Sequence, residues 1–187
     1  MIFAILLAAA TSAPAAPAQT DYPAGIRAGK LLCSNPDPAA KTCSNIDSFI
    51  RAADGTLTDT GETLLASEPL VTLETSVIVH AEGATNCGVL ELADLKKARV
   101  RVNGELLPPD RNALVVDKIV EKMSPLAGRK ACETLHMDGG KLIKSANMEG
   151  VDVKIPDKPV AWIAPGDGYR VAPTSAAPPT TPEQPKP

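Results

Sequence analysis

Aromatic residues make up only 3% of this 187-residue chain, and beyond Ala18 they reduce to Tyr22, Phe49, Trp162 and Tyr169. Surfaces that hold bases or sugars by stacking need more rings than that. Charge of one sign is equally sparse. The net charge is −3 and no block of Lys or Arg stands out, so the release of counterions that drives nucleic-acid binding has nothing to act through. After the leader, no apolar run approaches the ~20 residues that a spanning helix requires, and integral membrane insertion is not expected. The chain has no C-x-x-C and only two histidines, His80 and His136, which argues against a structural zinc site and a thioredoxin-like redox pair. G-x-S-x-G and H-E-x-x-H are missing as well, so no exposed serine nucleophile or zinc-protease helix is in view. From sequence there is no catalytic, cofactor-binding or metal-binding residue to name.

What is present begins with an address. Ile2 to Ala10 is a hydrophobic stretch, followed by small residues ending in Ala16-Pro17-Ala18, the pattern of a secretory signal peptide cut after Ala18. Residues 1–18 therefore read as a leader and the protein as periplasmic or secreted. At the other end, Ala172 to Pro187 runs APTSAAPPTTPEQPKP. That composition cannot bury enough apolar surface to offset the entropy of ordering it, and it reads as a disordered Pro-rich tail. Between the ends, residues 19–171 fit one domain, with 44% hydrophobic residues in the whole chain.

Four cysteines, Cys33, Cys43, Cys87 and Cys132, in an exported chain imply two disulfides with three conceivable connectivities. The expected pairs are Cys33 with Cys43, across the turn-forming SNPDPAAKT, and Cys87 with Cys132. On loop entropy the longer link is worth roughly 4 kcal/mol and the shorter roughly 2.7.

Alternation marks Leu70 to His80 as a strand, with Val71, Leu73, Val77 and Val79 on one face. Asp54-Gly55 predicts a hairpin turn between Ser48–Ala53 and Thr56–Thr58, and Glu62 to Ala66 a further short strand. Ala93 to Ala98 suggests a helical turn. Asn103-Gly104 links Arg99–Val102 to Glu105–Leu107, and Ala131–His136 and Lys141–Met148 flank Met137-Asp138-Gly139-Gly140 as another hairpin. After Pro108-Pro109, with Asp110 as the expected N-cap, Val116, Ile119, Val120 and Met123 recur at helical spacing. Val160 to Ile163 is a last strand, turned by Pro165-Gly166-Asp167-Gly168 towards Tyr169-Arg170-Val171. The fold class expected is α+β: a single antiparallel sheet, one main amphipathic helix and two disulfides.

Three constellations bear on chemistry. Glu74, Ser76 and His80 share the wet face of the long strand, but same-face neighbours lie ~6.6 Å apart, too far for a nucleophile and its base. His136 and Met137 would point to opposite faces and cannot jointly hold copper. Asp54-Gly55 and Asp138-Gly139-Gly140 lack the spacing of a calcium loop and read as turns.

Two stretches, PAGIRAGKLLCSNPDPAAKTC (Pro23 to Cys43) and WIAPGDGYRVAP (Trp162 to Pro173), together with Cys87-Gly88, resemble small exported proteins of Alphaproteobacteria to which no function is assigned. The resemblance implies a periplasmic address and no particular chemistry. The functional expectation is therefore a non-catalytic exported domain that binds a protein or an envelope component. If the Trp segment is not packed into the domain, Trp162, Tyr169 and Arg170 are its partner-binding residues. Two alternatives remain: an enzyme whose acid and base are carboxylates assembled by the fold, and a carrier of a small ligand in a cavity lined by Val and Leu. Paired carboxylates in a deep pocket would speak for the enzyme, a flat apolar patch for the binder.

Overall fold

The computed structural model describes residues 20–152 and 155–174; the expected signal peptide, and the Pro-rich tail from residue 175 on, lie outside the described residues. In chain order the elements are α1 (Tyr22–Arg27), β1 (Leu31–Ser34), β2 (Thr42–Cys43), β3 (Asn45–Arg51), β4 (Leu57–Ala66), β5 (Val71–Glu82) and β6 (Thr85–Val89). Then follow α2 (Leu92–Leu95), β7 (Arg99–Val102), β8 (Glu105–Leu106), α3 (Pro109–Met123), β9 (Lys130–Asp138), β10 (Lys141–Met148), β11 (Lys158–Ile163) and β12 (Arg170–Val171).

The main sheet runs β4, β3, β1, β11, β10, β9, β6, β5, and β5 pairs back onto β4. Eight antiparallel strands thus close into a barrel. With β2, β7 and β8 set aside, neighbours in the wall are neighbours in the chain, and the first and last wall strands meet, Leu32 opposite Trp162. The expectation of one antiparallel sheet with one main helix and two disulfides holds as far as it goes. Closure makes the molecule a mostly-β barrel instead of an open α+β sheet, which removes the edges an open sheet would expose.

The turn signals place the hairpins. Arg51 pairs with Leu57 around Asp54-Gly55, where Asp54 Oδ1 accepts from the Thr56 N–H at 2.9 Å. Glu62 to Ala66 is the end of β4 and not a strand of its own. Asp138 pairs with Lys141 across Gly139 and Gly140, both in the left-handed region at φ 52° and 77°. The helix α3 departs from expectation at its start: Pro108 occupies the N-cap and Asp110 lies in the first turn, with no side-chain cap. A proline at the first helical position presets φ and has no N–H to satisfy, so Pro109 begins the helix and Asp110 contributes only its charge near the positive end. Val116 is buried against Leu73, Ala98 and Val100, with Ile119 and Val120 packed beside them. Asn112 pins α3 to β7, accepting from the Val100 N–H at 2.8 Å and donating to the Ala98 carbonyl at 3.0 Å.

Both disulfides form as expected, Cys33–Cys43 and Cys87–Cys132. The first sits outside the barrel, where Cys33, Cys43 and Ile163 are buried beneath Leu31, Ile46 and Tyr169. The second crosslinks directly opposed residues of β6 and β9.

Inside the barrel, one end is apolar. Tyr22, fully buried, meets Phe49 and Trp162 edge-on, with ring centroids 6.2 and 5.9 Å away, and Leu32, Leu135, Leu142 and Val160 complete the cluster. The helix α1 supplies the Tyr. Asp21 caps it by accepting from the Ala24 N–H at 3.3 Å, and Gly25 lets it lie against the indole, since a Cβ there would stand 2.6 Å from the Trp162 ring.

Candidate functional site

Alternation along the wall strands puts Asp47, Asp59, Asn86, Glu133 and Lys144 on the same inward phase as Leu32, Leu135 and Leu142. They form a polar layer beside the apolar cluster. Lys144 is its centre: only 7% exposed, it reaches Asp47 Oδ2 at 3.2 Å and Glu133 Oε1 at 2.9 Å. Burial alone would push this ammonium towards neutrality, but the two carboxylates outweigh it and hold its pKa above the ordinary lysine value. Asp47 is fixed from its other side by Asn45 Nδ2 at 2.6 Å, and the Thr63 hydroxyl donates in turn to Asn45 Oδ1. Gly61 makes room for this carboxylate, since a Cβ would stand 2.9 Å from Asp47 Oδ1. The Tyr22 hydroxyl donates to Glu133 Oε2 at 3.4 Å, and burial followed by the nearby carboxylates drives its own pKa up.

Asp59 differs from the other two carboxyls. It is 9% exposed, and its polar contact is a long one, with Asn86 Nδ2 donating to Oδ2 at 3.4 Å. Its Oδ1 and the Asn86 Oδ1 have no protein partner. Burial, followed by repulsion from Asp47 and Glu133, raises its pKa well above the ordinary carboxyl value, and Lys144 and Asn86 only partly oppose this. Both residues line a cavity of about 210 Å³, together with Asp47, Glu133, Val77, Val79, Gly88, Val89, Leu90, Ala131 and Met148. The cavity thus has apolar walls and one polar end.

The sign of the Asp59 shift gives a prediction. The folded state holds this proton more tightly than the unfolded chain does. Stability therefore falls as pH rises from the ordinary carboxyl range (~3.9) through the raised folded value, the reverse of a salt-bridged Asp. Asp59→Asn should remove that slope and make the protein more stable than wild type at pH 7 but not at pH 4. Urea titrations across that range check it; equal slopes for the two proteins would refute the raised pKa.

The strand residues weighed from sequence go elsewhere. Glu74 pairs with Arg99 and with Arg101 at 3.6 Å, Ser76 shares a hydrogen bond with Thr60 at 2.9 Å, and His80 and Glu82 lie exposed 4.0 Å apart. No shared site forms from them. Trp162 packs in the aromatic cluster on β11, Tyr169 lies by the outer disulfide beneath Lys41, 4.8 Å from the ring centre, and Arg170 is exposed on β12. These three do not make one surface. Among the described residues no helix is long and apolar enough to cross a membrane.

The sequence signals the residues of the polar layer only in part: Lys144 falls in phase with Leu142 in the expected strand Lys141–Met148, which marks it as inward-facing and charged. Asp47 lies just ahead of the expected start of its strand, and Asn86 lies in a strand that no alternation in the sequence marks. No protein-family model, no curated protein and no solved structure matches the chain.

Proposed function

We propose that this protein is an exported, non-catalytic binder of a small molecule, held inside the barrel against the polar layer. The observation that carries the reading is the pair of buried, unpartnered oxygens, Asp59 Oδ1 and Asn86 Oδ1, in two residues that line an otherwise largely apolar cavity. Buried polar atoms without partners cost about 1–3 kcal/mol each, and a ligand that supplies the missing hydrogen bonds recovers that cost. An eight-stranded barrel is just wide enough to be filled by side chains or to hold one small ligand. At about 210 Å³, below the ~300–1,000 Å³ of drug-sized sites, the occupant is small. The two disulfides suit an oxidising compartment, in keeping with a periplasmic or secreted address.

Grouped carboxyls also suit an enzyme. Here Asp47 and Glu133 are both engaged by Lys144, which leaves one carboxyl, Asp59, where acid–base catalysis by carboxylates uses a pair. As for a protein or envelope partner, seven large apolar side chains are exposed among the described residues, spread over β3, β4, β5, β6, β8, α3 and β9, and of these Ile50 and Ile78 flank Thr58 on adjoining strands. The buried, unpartnered oxygens make the interior the better site. A screen of small organic fragments by methyl NMR tests the reading. Shift changes should concentrate on Val77, Val79, Leu90 and Met148; changes scattered over the outer face, or none, would overturn it.

A further inference from the structure

The chemistry of the layer narrows the ligand, an inference that rests on the binding reading above and deepens it. Two residues of this cavity's lining carry side-chain oxygens without a partner: Asn86 Oδ1, which only accepts, and Asp59 Oδ1, which accepts once the carboxyl has lost its proton, so a ligand that satisfies both must donate. Charge points the same way. One buried ammonium, Lys144, stands against three carboxyl groups, Asp47, Asp59 and Glu133, and two of these already hold it. An anionic ligand would meet that surplus with no free cation to receive it, and like charges at short range in a poorly solvated interior repel strongly. A cation is the complement.

Its kind follows by elimination. Among the described residues no three His, Cys, Asp or Glu side chains are placed to hold a metal ion. A quaternary ammonium has no N–H to give, and the aromatic faces that bind such groups are absent from the lining: Tyr22, Phe49 and Trp162 pack on one another instead. The cavity has one polar end and apolar walls, which suits one charged head with a short carbon chain and not a polyamine. We propose that the barrel binds a small primary amine as its ammonium, with the head group between the Asp59 carboxyl and the Asn86 amide oxygen and the chain against Val77, Val79, Leu90 and Met148.

Binding a cation there draws the proton off Asp59. The groups around that carboxyl are Asp47 from β3, Asn86 from β6, Glu133 from β9 and Lys144 from β10, with Tyr22 of α1 close by. Burial and its like-charged neighbours raise the Asp59 pKa, and an entering ammonium works against that rise.

The test uses the whole mature chain and three matched probes, butylammonium, butanol and butyrate, titrated at constant ionic strength and followed by the methyl signals of Val77, Val79, Leu90 and Met148. Butylammonium should bind at least tenfold more tightly than butanol, butyrate should not saturate, and the ammonium affinity should rise with pH. Asp59→Asn should erase the tenfold preference while leaving butanol binding in place, and Asn86→Ser should weaken ammonium binding independently. Butanol or butyrate binding as tightly as the ammonium would overturn the amine inference and leave the barrel reading standing, as would an Asp59→Asn protein that keeps the preference. No binding of any of the three would overturn both.

Discussion

Replacing Lys144 with Met should cost the domain about 3–5 kcal/mol, the usual penalty for removing one partner of a buried ion pair. The ammonium lies within 3.2 Å of Asp47 and 2.9 Å of Glu133 and is almost fully buried. Met fills the same volume but cannot answer either carboxylate, so the loss comes from two uncompensated charges and not from packing. The companion experiment separates these causes. In the triple variant Asp47→Asn, Glu133→Gln, Lys144→Met the charges are gone together, and most of the lost stability should return, because a buried ion pair is often no better than a neutral replacement of the same shape. Urea denaturation of the three proteins side by side decides it. If the single variant is as stable as wild type, Lys144 is not holding the layer; if the triple variant is no better than the single, the damage is steric.

Such a layer also explains which parts of the fold could be read from the sequence and which could not. Hairpins announced by Asp54-Gly55, Asn103-Gly104 and Gly139-Gly140 depend on the backbone freedom of a few adjacent residues, and they appear where expected. The face of α3 is likewise a local matter of spacing. Closure is not local: it depends on Leu31–Ser34 meeting Lys158–Ile163 across almost the whole chain, and β1 has too few residues to show an alternation. The strand β6, Thr-Asn-Cys-Gly-Val, was hidden for a different reason. Its inward positions are Asn86 and Gly88 and its outward Cys87 joins a disulfide, so the apolar phase that betrays a strand is missing. A barrel with a polar centre necessarily blurs the pattern by which barrels are recognised. The helix α1 is hidden too, since Pro23 and Gly25 are poor helix formers. It exists because Tyr22 fills the apolar end and Gly25 fits against Trp162, contacts that the rest of the fold must first provide.

The same closure sets the effect of shortening the chain. A protein ending at Pro173 should melt like the full chain. Nothing after Ala172 carries an apolar side chain larger than Ala or Pro, so little surface is there to bury. A protein ending at Lys158 should fail to unfold cooperatively at all. It lacks β11, whose Val160 and Ile163 are buried and whose Trp162 packs on Tyr22 and Phe49. Burying a Trp removes about 150–250 Å² from water, roughly 4–6 kcal/mol at 25 cal/mol/Å² before entropy costs, against a net domain stability of ~5–15 kcal/mol. The barrel is lost with it: β1 no longer has its partner on one side and β10 loses its own, leaving two raw edges where the wall was continuous. Circular dichroism melts of both proteins with disulfides intact are the measurement. A sharp transition in the shorter protein, within a few degrees of the longer one, would mean that the wall holds without β11 and that the interior cavity does not depend on a closed barrel.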